Sequence, residues 1–158
     1  MKIAICDDEI SYRETILKYL SPYIEKDSSL EAKQFSNAED LICAYKENER
    51  FDIIFLDIQM KSLDGIAAAK KIRKFDPDAI LFFITSHVKF FSDAFRVNAF
   101  QFLAKPIKQD DFIKDFQRAL EKYKMQHSAY IVKYKETTYT FETKNIIYIE
   151  SLNRHLLS

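Results

Sequence analysis

Short apolar runs that alternate with stretches of helical periodicity constrain the fold of this chain more than any other feature. Strands are expected at residues 2–6, 30–35, 52–57, 79–84 and 100–103. Helices are expected at 11–25, 36–48, 64–75, 86–98 and 109–125, where apolar side chains recur every three or four residues (Tyr12, Ile16, Leu20 and Ile24 in the first). The inner strands, Ile53-Ile54-Phe55-Leu56 and Ala79-Ile80-Leu81-Phe82-Phe83-Ile84, are continuously apolar rather than alternating. Such strands need cover on both faces, which is the condition of a parallel sheet between helical layers. Five β/α units joined by right-handed crossovers give an α/β doubly wound sheet, with 2-1-3-4-5 as the expected order. Ser/Glu pairs at Ser11/Glu14 and Ser36/Glu39 suggest capping boxes for the first two helices, and Asp64-Gly65 opens the third.

Composition removes whole classes of function. Gly65 is the only glycine, so neither a phosphate-binding P-loop nor a dinucleotide-binding turn can be built. Lys plus Arg equals Asp plus Glu at 24 each, leaving no global field to hold nucleic acid or anionic lipid. The longest apolar run is six residues, far below the roughly 20 that span a bilayer. No signal-peptide pattern precedes the first strand, and Cys6 and Cys43 are too few for a disulfide framework; buried thiols in a reducing cytoplasm are expected.

After residue 125 the pattern changes. Residues 130–134, 137–142 and 145–150 are rich in β-branched and aromatic residues, the signature of a short antiparallel β segment. The expected organisation is therefore a 1–125 domain followed by a 126–158 linker and partial β unit. That tail carries a net charge of only +1.

Ligands of open parallel sheets bind beyond the carboxyl ends of the strands, near the switch point. Asp7 and Asp8 follow the first strand, Asp57 ends the third, Thr85 follows the fourth and Lys105-Pro106 the fifth. Three carboxylates at one switch point stay ionised together only around a cation, and hard oxygen ligands with room for water suit Mg²⁺. A lysine and a hydroxyl facing the same pocket suit the oxygens of a transferred phosphoryl group.

These residues carry a resemblance. Residues 1–125 resemble the receiver domain of a two-component response regulator, on Cys6-Asp7-Asp8-Glu9, Asp57-Ile58-Gln59-Met60, Leu63-Asp64-Gly65, Thr85-Ser86-His87 and Leu103-Ala104-Lys105-Pro106. The stretch Ala94-Phe95 to Lys105-Pro106 is similar to the LytR/AlgR branch, and residues 129–151 resemble the start of that branch's LytTR DNA-binding domain. The resemblance implies a flavodoxin-like fold and a cytoplasmic protein. Asp57 then takes a phosphoryl group from a sensor histidine kinase. Asp8, Asp57 and the backbone carbonyl of Gln59 hold Mg²⁺, with Asp7 assisting. Thr85 and Lys105 meet the phosphoryl oxygens, and Phe102 is the switch aromatic. Gln59 and His87 stand where the family tunes hydrolysis, although His87 is equally an exposed first-turn residue. A cis Lys105–Pro106 bond aims the lysine. Lys61 stands where many receivers have proline, without touching a ligand.

The implied output is transcription from promoter DNA by a longer chain, with homodimerisation on phosphorylation and with Asn153, Arg154 and His155 as possible DNA contacts. Phe90, off the apolar stripe of the fourth helix, is a candidate partner contact or an edge core residue. The competing reading is a stand-alone receiver acting by protein contact. A remoter one is a Mg-dependent phosphatase with an Asp nucleophile, but that wants an acid two positions on, where Gln59 stands. A flavin mononucleotide carrier would need its phosphate beside Asp7-Asp8-Glu9, which repels it.

Overall fold

The structure is a computed structural model, and it describes residues 1–61, 63–86, 97–134 and 137–142, the side chains of 129–142 excepted. The described elements are β1 (Lys2–Cys6), α1 (Ile10–Lys26), β2 (Glu31–Phe35), α2 (Ala38–Lys46), β3 (Ile53–Asp57), α3 (Gly65–Phe75), β4 (Ile80–Thr85), β5 (Gln101–Ala104), α4 (Gln109–Gln126), β6 (Ala129–Tyr134) and β7 (Thr137–Glu142). Strands β1 to β5 form one parallel sheet in the order β2-β1-β3-β4-β5, as expected. The helix expected at 86–98, with Val88, Phe90, Phe91 and Phe95, lies outside the described residues apart from its ends, as does the strand expected at 145–150.

Period-two alternation explains the continuous apolar runs. Ala4, Cys6, Ile54, Leu56, Leu81 and Phe83 pack into one buried cluster with Leu41 and Tyr45 of α2 and Ala68, Ala69 and Ile72 of α3. On the opposite face, the ring of Phe55 meets Phe82 at 4.8 Å and Phe112 of α4 at 5.3 Å, while Tyr19 and Tyr23 of α1 meet Phe112 and Phe116. Every residue of β3 and β4 is therefore buried, and the hydrophobic gain is collected on both sides of the sheet. The edge strands differ. β2 exposes Glu31, Lys33 and Gln34, charged and polar residues that deter pairing with another chain.

Helix starts depart from the sequence reading. Helix α1 begins at Ile10, so Ser11 lies inside it; Glu9 occupies the cap position without a side-chain cap bond. The reason is local: the Glu9 amide donates to Asp7 Oδ1 at 2.9 Å, an Asx-type turn that brings the chain into the helix early. Helix α2 is capped by Asn37, not Ser36, its Oδ1 accepting from the Asp40 amide at 2.8 Å. Asp64 caps α3 as expected, accepting from the Ala67 amide at 2.8 Å. Cys43 is exposed on α2, against the expectation of two buried thiols, because α2 turns Leu41, Ile42, Ala44 and Tyr45 inward.

Two residues fix loops that the motifs need. An added Cβ at Gly65 would lie 2.1 Å from the Asp57 carbonyl oxygen, so only glycine lets α3 start against the turn after β3; its amide donates to the Ile58 carbonyl at 2.8 Å. Arg73 of α3 donates to the carbonyls of Ala79 at 2.7 Å, Val97 at 2.8 Å and Asn98 at 3.0 Å, tying the entries to β4 and β5 together.

The chain divides into two compact units within α4, between Ala119 and Leu120. In the second, β6 and β7 pair antiparallel, Ala129 opposite Glu142 and Tyr134 opposite Thr137. Among the described residues no helix is long and apolar enough to cross a membrane.

Candidate functional site

Sheet register assembles the site. Cys6 stands opposite Leu56, so the next residue of the first chain segment, Asp7, arrives beside Asp57. Thr85 is paired with Ala104, which places Lys105 one step beyond β4, and the Lys105 amide donates to the Thr85 carbonyl at 3.0 Å. The Lys105–Pro106 peptide bond is cis. Carboxylate oxygens of Asp7, Asp8 and Asp57 lie within 4.8 Å of one another. Asp7 and Asp57 are buried; Asp8 is half-buried.

Lys105 enters this acid cluster from the far side. Its ammonium lies 2.8 Å from Asp7 Oδ2, 3.1 Å from Asp57 Oδ2 and 3.7 Å from Glu9 Oε1, and its side chain is only 4% exposed. The Tyr12 ring covers it, with the ring centroid 4.1 Å from Nζ. Arg13 braces the strand end by donating to the Asp7 carbonyl.

Electrostatics follow from burial. Asp57 is pushed up to about 6 by burial and by Asp7, against the pull of Lys105 and the Gln59 amide. Burial raises Asp7 too, against the hydrogen bonds from Lys105 and the Glu9 amide. Burial works against the Lys105 charge, but its bonds to Asp7 and Asp57 outweigh that and leave the ammonium more firmly protonated than a free lysine. Three carboxylates against one ammonium leave a formal deficit of two positive charges in a largely buried space. The donor set is all oxygen. Both features fit a small divalent cation, which would relieve the burial and repulsion that raise the two acids.

The other sequence candidates divide. Thr85 is buried at the end of β4. Gln59 is exposed at the rim, with its backbone amide toward the Asp57 carboxylate. Phe102 is half-buried on β5, packed against the core cluster and stacked on Phe83 at 5.7 Å. His87, Asn153, Arg154 and His155 lie outside the described residues. Sequence reasoning passed over Tyr12, counted there only as a member of an apolar stripe, gave Arg13 no role and used Glu9 only as part of the acidic run after the first strand. The signal was present: all three sit within about one helical turn of Asp8.

Residues 3–117 match the response regulator receiver domain. The chain belongs to that family. The receiver is 36% identical over 110 residues to the sensory transduction protein LytR of Staphylococcus epidermidis, a match that covers 70% of this chain and 42% of that protein. It is 29% identical over 129 residues to the positive alginate biosynthesis regulatory protein of Pseudomonas aeruginosa, covering 82% and 51%. Both agree with the LytR/AlgR likeness carried by the motifs. The chain spans about half the length of the curated relatives it matches. Its fold is shared with the chemotaxis protein CheY4 of Vibrio cholerae, at a TM-score of 0.64 and 22% identity over 75% of this chain and 97% of that one.

Proposed function

We propose that this receiver accepts a phosphoryl group on Asp57 from the phosphohistidine of a sensor kinase, in a reaction that requires Mg²⁺. The observation that carries the reading is the Lys105 ammonium bridging Asp7 and Asp57 inside a cluster of three carboxylates. An Asp57 oxygen forms the bond to phosphorus as the bond to the donor breaks, leaving an acyl phosphate. Asp8, Asp57 and the Gln59 carbonyl would hold the metal ion, with Asp7 assisting. When bound, the ion neutralises carboxylate and phosphoryl oxygens together. Lys105 turns from the Asp57 carboxylate to a phosphoryl oxygen, a charge-assisted bond that needs only a small movement of Nζ. The Thr85 hydroxyl donates to another oxygen. Phosphorylation adds about −1.5 to −2 charges beside these two groups. Pulling them inward biases the carboxyl ends of β4 and of β5, the strand that carries Phe102, toward a second arrangement. Gln59 and His87 set how readily water reaches the acyl phosphate.

The same reading places the protein in the cytoplasm, with homodimerisation on phosphorylation and promoter DNA bound by the longer chain. The β6–β7 hairpin supports a LytTR-type output, as do relatives named as regulatory proteins. A phosphatase reading is disfavoured by Gln59, which leaves no second acid two positions beyond Asp57.

The test is incubation with Mg²⁺ and acetyl phosphate followed by intact-mass measurement. Wild type gains one phosphoryl group, EDTA abolishes the gain and Asp57→Asn gains none. Equal labelling of Asp57→Asn sinks the assignment.

A further inference from the structure

We propose that Tyr12 is a positioning residue for Lys105, its ring face holding the ammonium in the pocket while the lysine exchanges one oxygen partner for another. This rests on the phosphoacceptor reading of Asp57.

The lysine side chain is almost wholly out of water, yet its ammonium has three N–H donors to satisfy. Two carboxylate oxygens, of Asp7 at 2.8 Å and Asp57 at 3.1 Å, lie within hydrogen-bond distance. Glu9 at 3.7 Å is beyond it, on a side chain 60% exposed to solvent. Among the described residues the face of Tyr12 is a further close group, at 4.1 Å. An aromatic face attracts a cation through its quadrupole, most strongly where water is excluded.

The kind of attraction matters here. A hydrogen bond to a carboxylate is directional and breaks when the lysine turns. A ring face is broad, and an ammonium can slide across it at little cost. Phosphorylation of Asp57 puts new anionic oxygens beyond the present carboxylate, so Nζ has to leave one partner for another. During that exchange the Tyr12 face need not be given up. Tyr12 lies on α1, whose entry is fixed by the Asp7–Glu9 turn. The ring is thereby set against Lys105 by the same residues that build the acid cluster.

The proposal predicts that the aromatic face matters and the hydroxyl does not. Tyr12→Phe keeps the face, whereas Tyr12→Leu keeps apolar bulk without it. The phosphorylation rate constant with Mg²⁺ and acetyl phosphate is measured for each, alone and in a Lys105→Gln background. Tyr12→Phe is expected within about twofold of wild type, and Tyr12→Leu about five- to tenfold slower, the size of a partly desolvated cation–π interaction. In Lys105→Gln, adding Tyr12→Leu changes the rate less than about twofold, because the partner of the ring is gone. A merely structural role would persist in that background. The second readout is NMR of the unphosphorylated protein. The Lys105 ε-methylene protons are shifted upfield by the ring in wild type and Tyr12→Phe, and return to the free-lysine position in Tyr12→Leu. Wild-type rates in Tyr12→Leu, or an undiminished effect in the Lys105→Gln background, overturn the role of Tyr12 while leaving Asp57 as acceptor. A wild-type chain that takes no label overturns the acceptor reading itself, and the role of Tyr12 with it.

Discussion

Asp57 is held in a place that suits its charge badly. Its acid affinity is about 6 in the folded protein against 3.8 for a free side chain, chiefly because of burial and then because of Asp7. Between those two values the folded state binds more protons than the unfolded one, so stability falls as pH rises through the window from about 4 to 6 and levels off above it. The full shift corresponds to roughly 3 kcal/mol, an upper bound because Asp7 shares the pocket. Asp7 Oδ2, 2.8 Å from the Lys105 ammonium, remains as a carboxylate partner for the lysine once Asp57 is neutralised. Asp57→Asn is therefore expected to be more stable than wild type by about 1–3 kcal/mol at pH 7.5 in EDTA, with the advantage gone below pH 4. Urea denaturation at both pH values measures this. Added Mg²⁺ at pH 7.5 should raise the wild-type midpoint and leave Asp57→Asn nearly unmoved. An Asp57→Asn protein less stable than wild type in EDTA at pH 7.5 would show that the carboxylate is not destabilised in its pocket. Acid identity and position were legible in the sequence because each acid ends an apolar run. The ring over Lys105 was not, because cation–π pairing across elements leaves no local pattern.

The helix starts show how far local pattern reaches. The Ser36/Glu39 pair satisfies the spacing of a capping box, yet Asn37 caps α2, and it also donates through Nδ2 to Asp40 Oδ2 at 2.8 Å. Asn and Ser are comparable caps, so the spacing rule could not separate neighbouring candidates. What decides is where β2 ends at Phe35 and which register buries Ala38, Leu41 and Ile42. Ser36→Ala should cost less than about 0.5 kcal/mol and Asn37→Ala about 1 kcal/mol, read from urea midpoints. The reverse order would restore the capping box. Similarly, Ser11 was the legible signal for α1, but the Asp7–Glu9 turn, a by-product of placing Asp7 at the strand end, starts the helix at Ile10. Strand order and the two-sided core were readable because they depend on the sum of many apolar positions. Caps depend on one hydrogen bond each and are set by tertiary context. The exposed Cys43 is the same lesson on the helix surface: the direction of its side chain follows from α2's packing face, not from cysteine's usual burial.

For the molecule as a whole, the open question is what the 158-residue chain can do with DNA. Its formal charge is zero, and the residues from Gln126 onward carry a net +1, so phosphate-driven binding starts with almost no electrostatic gain. The described part of the second unit offers a hairpin of two six-residue strands, Ala129–Tyr134 and Thr137–Glu142. A two-stranded hairpin is a marginal structure by itself, and specific protein–DNA recognition buries roughly 1,000 Å² or more of protein surface. The match covers only 46% and 51% of two of the curated relatives. The expected outcome of a gel-shift titration with promoter DNA at physiological salt is weak, sequence-independent binding by this chain, whether or not Asp57 has been phosphorylated. A chain extended to the length of those relatives should bind specifically and more tightly after phosphorylation. Binding that discriminates promoter from scrambled DNA in the short chain would mean that recognition is carried either by the end holding Asn153, Arg154 and His155 or by a surface of the receiver, and replacing those three residues tells the two apart. If the end carries it, alanine at these positions weakens promoter binding by about 1–3 kcal/mol for each base that the side chain reads; if the receiver surface does, binding is unchanged. The same substitutions should leave Asp57 labelling unchanged, because Asp7, Asp8, Asp57, Thr85 and Lys105 all lie in the unit that ends at Ala119.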